Sequence, residues 1–495
     1  MTGSGAQTQP EWLLKLADRV ELTYENGQMV RLVGPESSLD LHELTVSARG
    51  LLADLVVGMS EGEATAIADQ EARMSARALI VGLQRAGWLD RVMLLGDRSV
   101  LRIEVVGRPY RPSLRGAPRS GSWRLHRFAF LRRDDRAQPG GAMVVESPQA
   151  MSRVVLLDPA AAAVVAALGT DREVSASFDI AGLSPEVAEA VALTLYREGF
   201  VRRSEPPEPD NEREWEFHDL LFHTRTRSGR HREPYGSTYP FEGVRPPTPA
   251  LAGHDPDAEM LPLPRPNLAD LMTQDPPLSA VMEQRRSWRQ PGPTPLTAAQ
   301  LGEFLFRTAR VRDVFGGNRG EVTDRSYPGG GAAYELEIYL AVNRVSGVSR
   351  GLYRYDPLKH ALVTVAPWSE KLAEVITNTA RSAPPGLPAD VTLLLTARMQ
   401  RLTYKYAGVS YAVALKDLGV LLEAFYLAAT AMGLSGCAVG GGECDALARL
   451  TETDTLREPH IGEFLLSSRD PAEIPAFQAL RAELTERDVA HLGKS

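Results

Sequence analysis

A chain of 495 residues is longer than one hydrophobic core serves, so two or three domains are expected. Its 43% hydrophobic content is that of a globular protein, and no apolar run approaches the roughly 18 residues of a spanning helix. A net charge of −8 argues against nucleic-acid binding as the whole protein's task, while two cysteines and an N-terminus without a signal-peptide pattern predict a reducing, cytoplasmic setting.

Residues 1–115 read as a first module. Residues 20–24 and 28–32 flank Asn26-Gly27, a turn pair that favours a tight hairpin. A helical stretch then closes on Gly87-Trp88-Leu89, and strand-like residues 92–95 and 100–106 around Gly96-Asp97 make a wing-like hairpin. Residues 116–204 read as a second module, with strands at 125–131 and 144–157 and an alanine-rich helix at 159–168. Ser184-Pro185 starts a further helix, serine as cap and proline at the first helical position. That helix closes on Gly199-Phe200-Val201. The shared ending, Leu-x-x-x-Gly-aromatic-aliphatic, and the common order of elements favour a duplicated winged-helix-like α+β unit over two unrelated pieces.

Residues 205–264 form a linker and entry segment. Ser204-Glu-Pro-Pro-Glu-Pro-Asp-Asn is proline-rich and acidic, and Trp215 to His223 reads as a short helix running into a basic loop that ends at Arg232. His218, His223 and His231 have no cysteine beside them and fit no common ligand spacing, so no metal site is assigned.

Residues 265–495 read as the last domain, and three clusters there carry chemistry. Arg285-Arg286-Ser287-Trp288-Arg289 leaves a helix at 278–284 and precedes the capping box Thr297-Ala-Ala-Gln300; guanidinium groups and a hydroxyl on extended backbone converge well on a phosphate. Pro328-Gly329-Gly330-Gly331 exposes backbone amides to a flat ligand and leads into a strand from Tyr334. Lys405-Tyr406 follows the buried strand 391–397. Neighbours in a strand point to opposite faces, so both reach one substrate only where the strand has ended or bulges. Taken singly, each cluster is as readily a basic surface run, a flexible loop, or a surface lysine beside a packing tyrosine.

In order, Arg-Arg-Ser-x-Arg, then Tyr327-Pro-Gly-Gly-Gly-Ala, then a strand, then Gly351-Leu-Tyr-Arg-Tyr355-Asp-Pro with His360, resembles the SagB-type (azoline oxidase) branch of the FMN-dependent nitroreductase superfamily. The resemblance covers roughly residues 212–470. It implies an α+β domain, an antiparallel sheet wrapped by helices in an intertwined homodimer with FMN at the interface. Arg285, Arg286, Ser287 and Arg289 would hold the FMN phosphate and ribityl chain. Pro328, Gly329, Gly330 and Gly331 would reach the flavin, Gly440 and Gly441 would lie against its ring face, and Arg469 would add a phosphate contact.

Lys405 and Tyr406 would be catalytic, because oxidising an azoline to an azole requires a base for a ring proton as well as a hydride acceptor. The implied partners are a ribosomally made precursor peptide, docked by the N-terminal modules, and a cyclodehydratase. Departures are the missing histidine in Asp417-Leu-Gly419-Val420, glycine for serine at 329, and Ser468-Arg469 where glycine is common. Cys437 and Cys444 read as small buried thiols. Two other readings stay open: an NAD(P)H-dependent nitro or quinone reductase, and a binding scaffold on a degenerate flavin fold.

Overall fold

The computed structural model describes residues 9–25, 28–34, 38–41, 44–65, 70–111, 113, 116, 120–174, 176–443 and 445–474. The expected turn Asn26-Gly27 and Cys444 lie outside the described residues. The chain divides into two compact units, Met1–Tyr235 and Gly236–Ser495.

The first unit is built on one antiparallel sheet of seven strands. Its order is Met59–Ser60, Glu11–Leu16, Leu89–Leu95, Arg98–Val105, Ser152–Leu156, Ala142–Glu146 and Phe130–Asp134. Helices Val46–Val57 and Gln70–Arg85 share a core with Leu14, Leu16 and Trp88, whereas Pro159–Ala167 and Pro185–Arg197 share another with Leu101, Ile103 and Val154. Each half therefore has its own helix pair. The sheet is common to both: Ile103 pairs with Val154, so strands on either side of the expected 115/116 boundary are neighbours.

Both halves end a helix as the shared motif requires. Gly87 and Gly199 sit at φ +71° and +86°, and the amides of Trp88 and Phe200 reach back to the carbonyls of Leu83 and Leu195 at 2.8 Å each. Beyond the glycines the halves diverge, because Leu89–Leu95 joins the seven-stranded sheet and Val201–Arg203 joins a three-stranded one with Ser122–Leu125. The strand expected at 125–131 is two strands in different sheets, split by a turn in which Ala129 N–H donates to the His126 carbonyl at 2.8 Å. The Ser184 side chain makes no capping bond to the helix amides.

The second unit has its own seven-stranded antiparallel sheet. The order is Met260–Pro262, Ala361–Pro367, Gly351–Asp356, Leu336–Val342, Val391–Ala397, His460–Ser467 and Ser435–Val439. The two central strands, Leu336–Val342 and Val391–Ala397, are buried along their whole length. Ile338, Leu340, Leu393 and Leu395 face helices Ala298–Ala309 and Ser410–Ala431, while Tyr339, Ala341 and Leu394 face helix Glu370–Arg381. This is the period of two that places helices on both faces of a sheet.

The capping box at Thr297 forms as expected, with the Gln300 amide donating to Thr297 and the Gln300 side chain accepting from Thr297 N–H. One boundary differs from expectation. The core helix begins at Ser410 instead of Asp417, with Val409 as its N-cap just after Gly408 at φ +74°, so Asp417 lies two turns inside it.

Candidate functional site

Lys405 ends the short helix Met399–Lys405, and Tyr406 opens the two-residue strand Tyr406–Ala407 that pairs with Gly236–Ser237. The regular strand has ended well before this pair, so the two side chains are free to converge. They do so at Gly331: Lys405 Nζ donates to the Gly331 carbonyl at 3.0 Å, and a Cβ on Gly331 would run into both Lys405 Nζ and Tyr406 Oη. Burial first, and then the Asp417 charge, holds the Tyr406 phenol above its ordinary pKa, so it stays protonated near neutrality.

The glycine loop is gripped from the other side by the core helix. Gly330 N–H donates to Asp417 Oδ2 at 2.8 Å, and a Cβ on Gly330 would strike Val413. The sequence reading treated the three amides as open to a ligand; Gly330's is committed to Asp417. Val413 and Asp417, one turn apart on a helix, present one face to the loop. Arg401 closes the loop's far end, its Nε donating to the Ala333 carbonyl at 2.6 Å, and burial pulls this guanidinium down to about 10.

Glu335, one residue before strand Leu336–Val342, went unremarked in the sequence. It is fully buried beside Asp417, and burial followed by the Asp417 charge pushes it up to about 8. The available signal was an acid in a run otherwise destined for a sheet centre.

Arg285, Ser287 and Arg469 form a second group. Ser287 Oγ lies 3.0 Å from the Tyr426 hydroxyl, Trp288 N–H donates to the Gly436 carbonyl at 3.0 Å, and Arg285 sits 5.4 Å above the Tyr426 ring. The Arg469 guanidinium lies 3.5 Å from the Trp288 ring centroid. Its Nε is buried without an acceptor among the described residues. Arg286 and Arg289 are exposed. Three guanidiniums on one segment, with an orphaned donor on a fourth beside it, fit a phosphate. Asp417 and Tyr426 stand on one helix nine residues apart, so the two groups are linked by roughly 13 Å of rigid helix.

Gly440 and Gly441 follow strand Ser435–Val439, and a Cβ on either would meet nothing within 4 Å. The structure brings neither into side-chain contact with the two groups. Pro328 is exposed, and a Cβ on Gly329 would touch the Tyr334 ring at 3.0 Å.

A cavity of about 610 Å3 adjoins the first group, bounded by Lys405, Gly331, Tyr404, Tyr239, Arg319 and Glu242. Tyr239, Arg319 and Glu242 were not singled out from sequence. Arg319 lies 3.9 Å over the Tyr239 ring and pairs with Glu242 at 2.9 Å.

In the first unit, His126, Glu208 and Glu212 approach one another closely enough to share an ion, a grouping the sequence reading did not consider. Arg202 already lies 3.4 Å from Glu208 and 3.8 Å from Glu212, which offsets part of their charge. Cys437 is a buried free thiol, as expected. Among the described residues, no helix is long and apolar enough to cross a membrane.

An antiparallel sheet between two helical layers, preceded by a separate α+β unit, defines an oxidoreductase of the nitroreductase class. Residues 282–461 match the nitroreductase family, and residues 123–232 match the cyanobactin oxidase ThcOx. The second match extends upstream of the 212–470 resemblance, into the expected second module. Over 163 residues the chain is 31% identical to a protein of Methanocaldococcus jannaschii that bears the nitroreductase name, spanning 33% of this chain and 78% of that protein.

Among solved structures, a Ralstonia eutropha protein of the same name is 21% identical with a TM-score of 0.34, covering 46% of this chain and 97% of that one. The E. coli microcin synthetase McbBCD complex, solved with truncated pro-MccB17 bound, is 19% identical with a TM-score of 0.31, covering 38% of this chain and 72% of that one. This chain belongs to the nitroreductase family, in its SagB-type branch. The family generally binds flavin, as FMN.

Proposed function

We propose that this protein is an FMN-dependent dehydrogenase that oxidises thiazoline or oxazoline rings of a ribosomally made peptide to azoles. The observation that carries this reading is the convergence of Lys405 Nζ and Tyr406 Oη on Gly331 at the wall of a cavity. A simple nitro or quinone reductase needs no such proton-handling pair, and the cyanobactin oxidase match favours a peptide ring as substrate.

FMN, when bound, supplies the two-electron acceptor for the ring hydride. Arg285, Arg286, Ser287, Arg289 and Arg469 would hold its phosphate and ribityl chain. Pro328 to Gly331 would border its ring, with Gly440 and Gly441 as further contacts. The chain's own task is the proton. Tyr406 stays protonated and donates a hydrogen bond toward the ring heteroatom, while Lys405 is the amine that takes the ring proton. The Gly331 carbonyl, accepting from Nζ at 3.0 Å, aims that amine.

The peptide substrate, a cyclodehydratase that makes the ring and a homodimer complete the reading. Strand Phe130–Asp134 at one end of the first unit's sheet is where an extended leader segment would add. Leu268, Met272, Leu278 and Met282 expose apolar side chains along helices Leu268–Gln274 and Leu278–Gln284, a surface that supports self-association.

The test is an azoline peptide assayed by mass for loss of two hydrogens. Lys405→Ala and Tyr406→Phe are each expected to lower turnover by roughly a hundredfold or more. Full activity in both would remove the assignment. Rapid flavin reduction by NAD(P)H, without action on the peptide, would favour the reductase instead.

A further inference from the structure

We propose that Glu335 and Asp417 form an acid pair that holds one proton between them and positions Lys405 and Tyr406 through the glycine loop. The inference rests on the assignment of Lys405 and Tyr406 to proton handling. It begins with two independent contacts to one loop. Asp417 takes the Gly330 N–H at 2.8 Å, and the next residue's carbonyl accepts from Lys405 Nζ at 3.0 Å. Glycine at both positions removes the Cβ that would separate loop from helix and loop from Lys405 and Tyr406. A shift of Gly330 against the core helix is therefore transmitted to the reacting pair across a single peptide.

Glu335 determines the charge on Asp417. Neither Glu335 carboxyl oxygen has a hydrogen-bond donor among the described residues, and after burial the neighbour that acts on it most strongly is the Asp417 carboxyl. Two buried carboxyls in contact are compatible only when one keeps a proton, which then serves as the hydrogen bond between them. Asp417 is already the acceptor for Gly330 N–H, so the charge belongs on Asp417 and the proton on Glu335. The raised position of Glu335, near 8, agrees with this division.

The surroundings set the balance. Burial raises both carboxyls; the Asp417 charge raises Glu335 further while Arg325 lowers it, and the Gly330 N–H, Glu335 and then Lys416 pull Asp417 part of the way back. Tyr406, Arg401 and Tyr327, whose buried hydroxyl also lacks a partner among the described residues, stand close enough to feel the charge that Glu335 takes on when the shared proton leaves. Losing the shared proton leaves two adjacent buried charges, and separating them moves the core helix against the loop. Turnover should fall on the alkaline side as that proton is lost.

Infrared difference spectra of the purified full chain test the pair without reference to any substrate. A protonated-carboxyl stretch is expected in mildly acidic buffer, vanishing as pH rises through about 8. That band should be absent in Glu335→Gln and should titrate lower by about one pH unit or more in Asp417→Asn, where the repelling charge is gone. With an azoline peptide, Glu335→Gln should lack the alkaline fall in turnover. Asp417→Asn should lose roughly tenfold or more at every pH, because the Gly330 contact is weakened.

An unchanged band in Glu335→Gln, or an unmoved titration in Asp417→Asn, overturns the pair, and either variant alone decides if the other does not fold. A band that behaves as expected in a protein inert toward azolines would instead remove the proposed function and leave the pair standing.

Discussion

At the scale of single residues, the site depends on side chains that are missing. Gly331 has φ +60°, and the space where its Cβ would sit is filled by Lys405 Nζ and Tyr406 Oη. Gly331→Ala is therefore expected to cost about 1–2 kcal/mol of stability for the left-handed backbone alone. It should lower peptide oxidation by roughly a hundredfold, because the pair must move. Thermal unfolding beside a mass assay separates the two effects, and a variant with lowered melting temperature but wild-type turnover would show that the pair need not converge there. The need for convergence was legible in the sequence, since adjacent strand residues diverge. Glu335 was not legible: the run Tyr334-Glu-Leu-Glu reads as alternating, and only helices on both faces bury its acids.

At the scale of elements, glycine punctuation was read correctly, and its cost can be graded. Gly199 has φ +86° and open space around its Cβ position, whereas at Gly87, φ +71°, a Cβ would lie 2.9 Å from Val105 Cγ1. Gly199→Ala should thus lose about 1–2 kcal/mol from backbone strain alone. Gly87→Ala should lose more, since strand Arg98–Val105 must also give way. Denaturant unfolding of both variants checks the order; equal losses would mean the crowding at Gly87 relaxes freely. The core helix shows the opposite case. Its start at Ser410 escaped the sequence reading because Tyr411-Ala-Val-Ala-Leu-Lys carries no cap signal, and tertiary packing on the sheet decides where it begins.

At the scale of the whole molecule, the proposed dimer is the main expectation. Met272 and Met282 are 86% and 60% exposed, more than a solitary chain commonly leaves large apolar side chains. Replacing both with glutamate should turn a particle of twice the chain mass into one of the single mass, as light scattering would show. It should also release bound flavin if the cofactor lies at the interface. A double variant that remains a dimer would place the interface elsewhere. The two units of the first 235 and last 260 residues were only partly legible. The sequence suggested two separate N-terminal modules, but pairing of Arg98–Val105 with Ser152–Leu156 joins their strands in one sheet. Such pairing between distant segments leaves no local trace.

By itself, then, the sequence determined the family and the chemical parts: the order of arginine segment, glycine loop and Lys-Tyr pair needs no coordinates, since each part has a local chemical character. The tertiary structure alone decided how the parts meet. It set Gly331 under Lys405 and Tyr406, committed the Gly330 amide to Asp417, and buried Glu335 against that same carboxylate. These relations join residues far apart in the chain, and burial, which turns two ordinary acids into a proton-sharing pair, is a property of packing rather than of residue type.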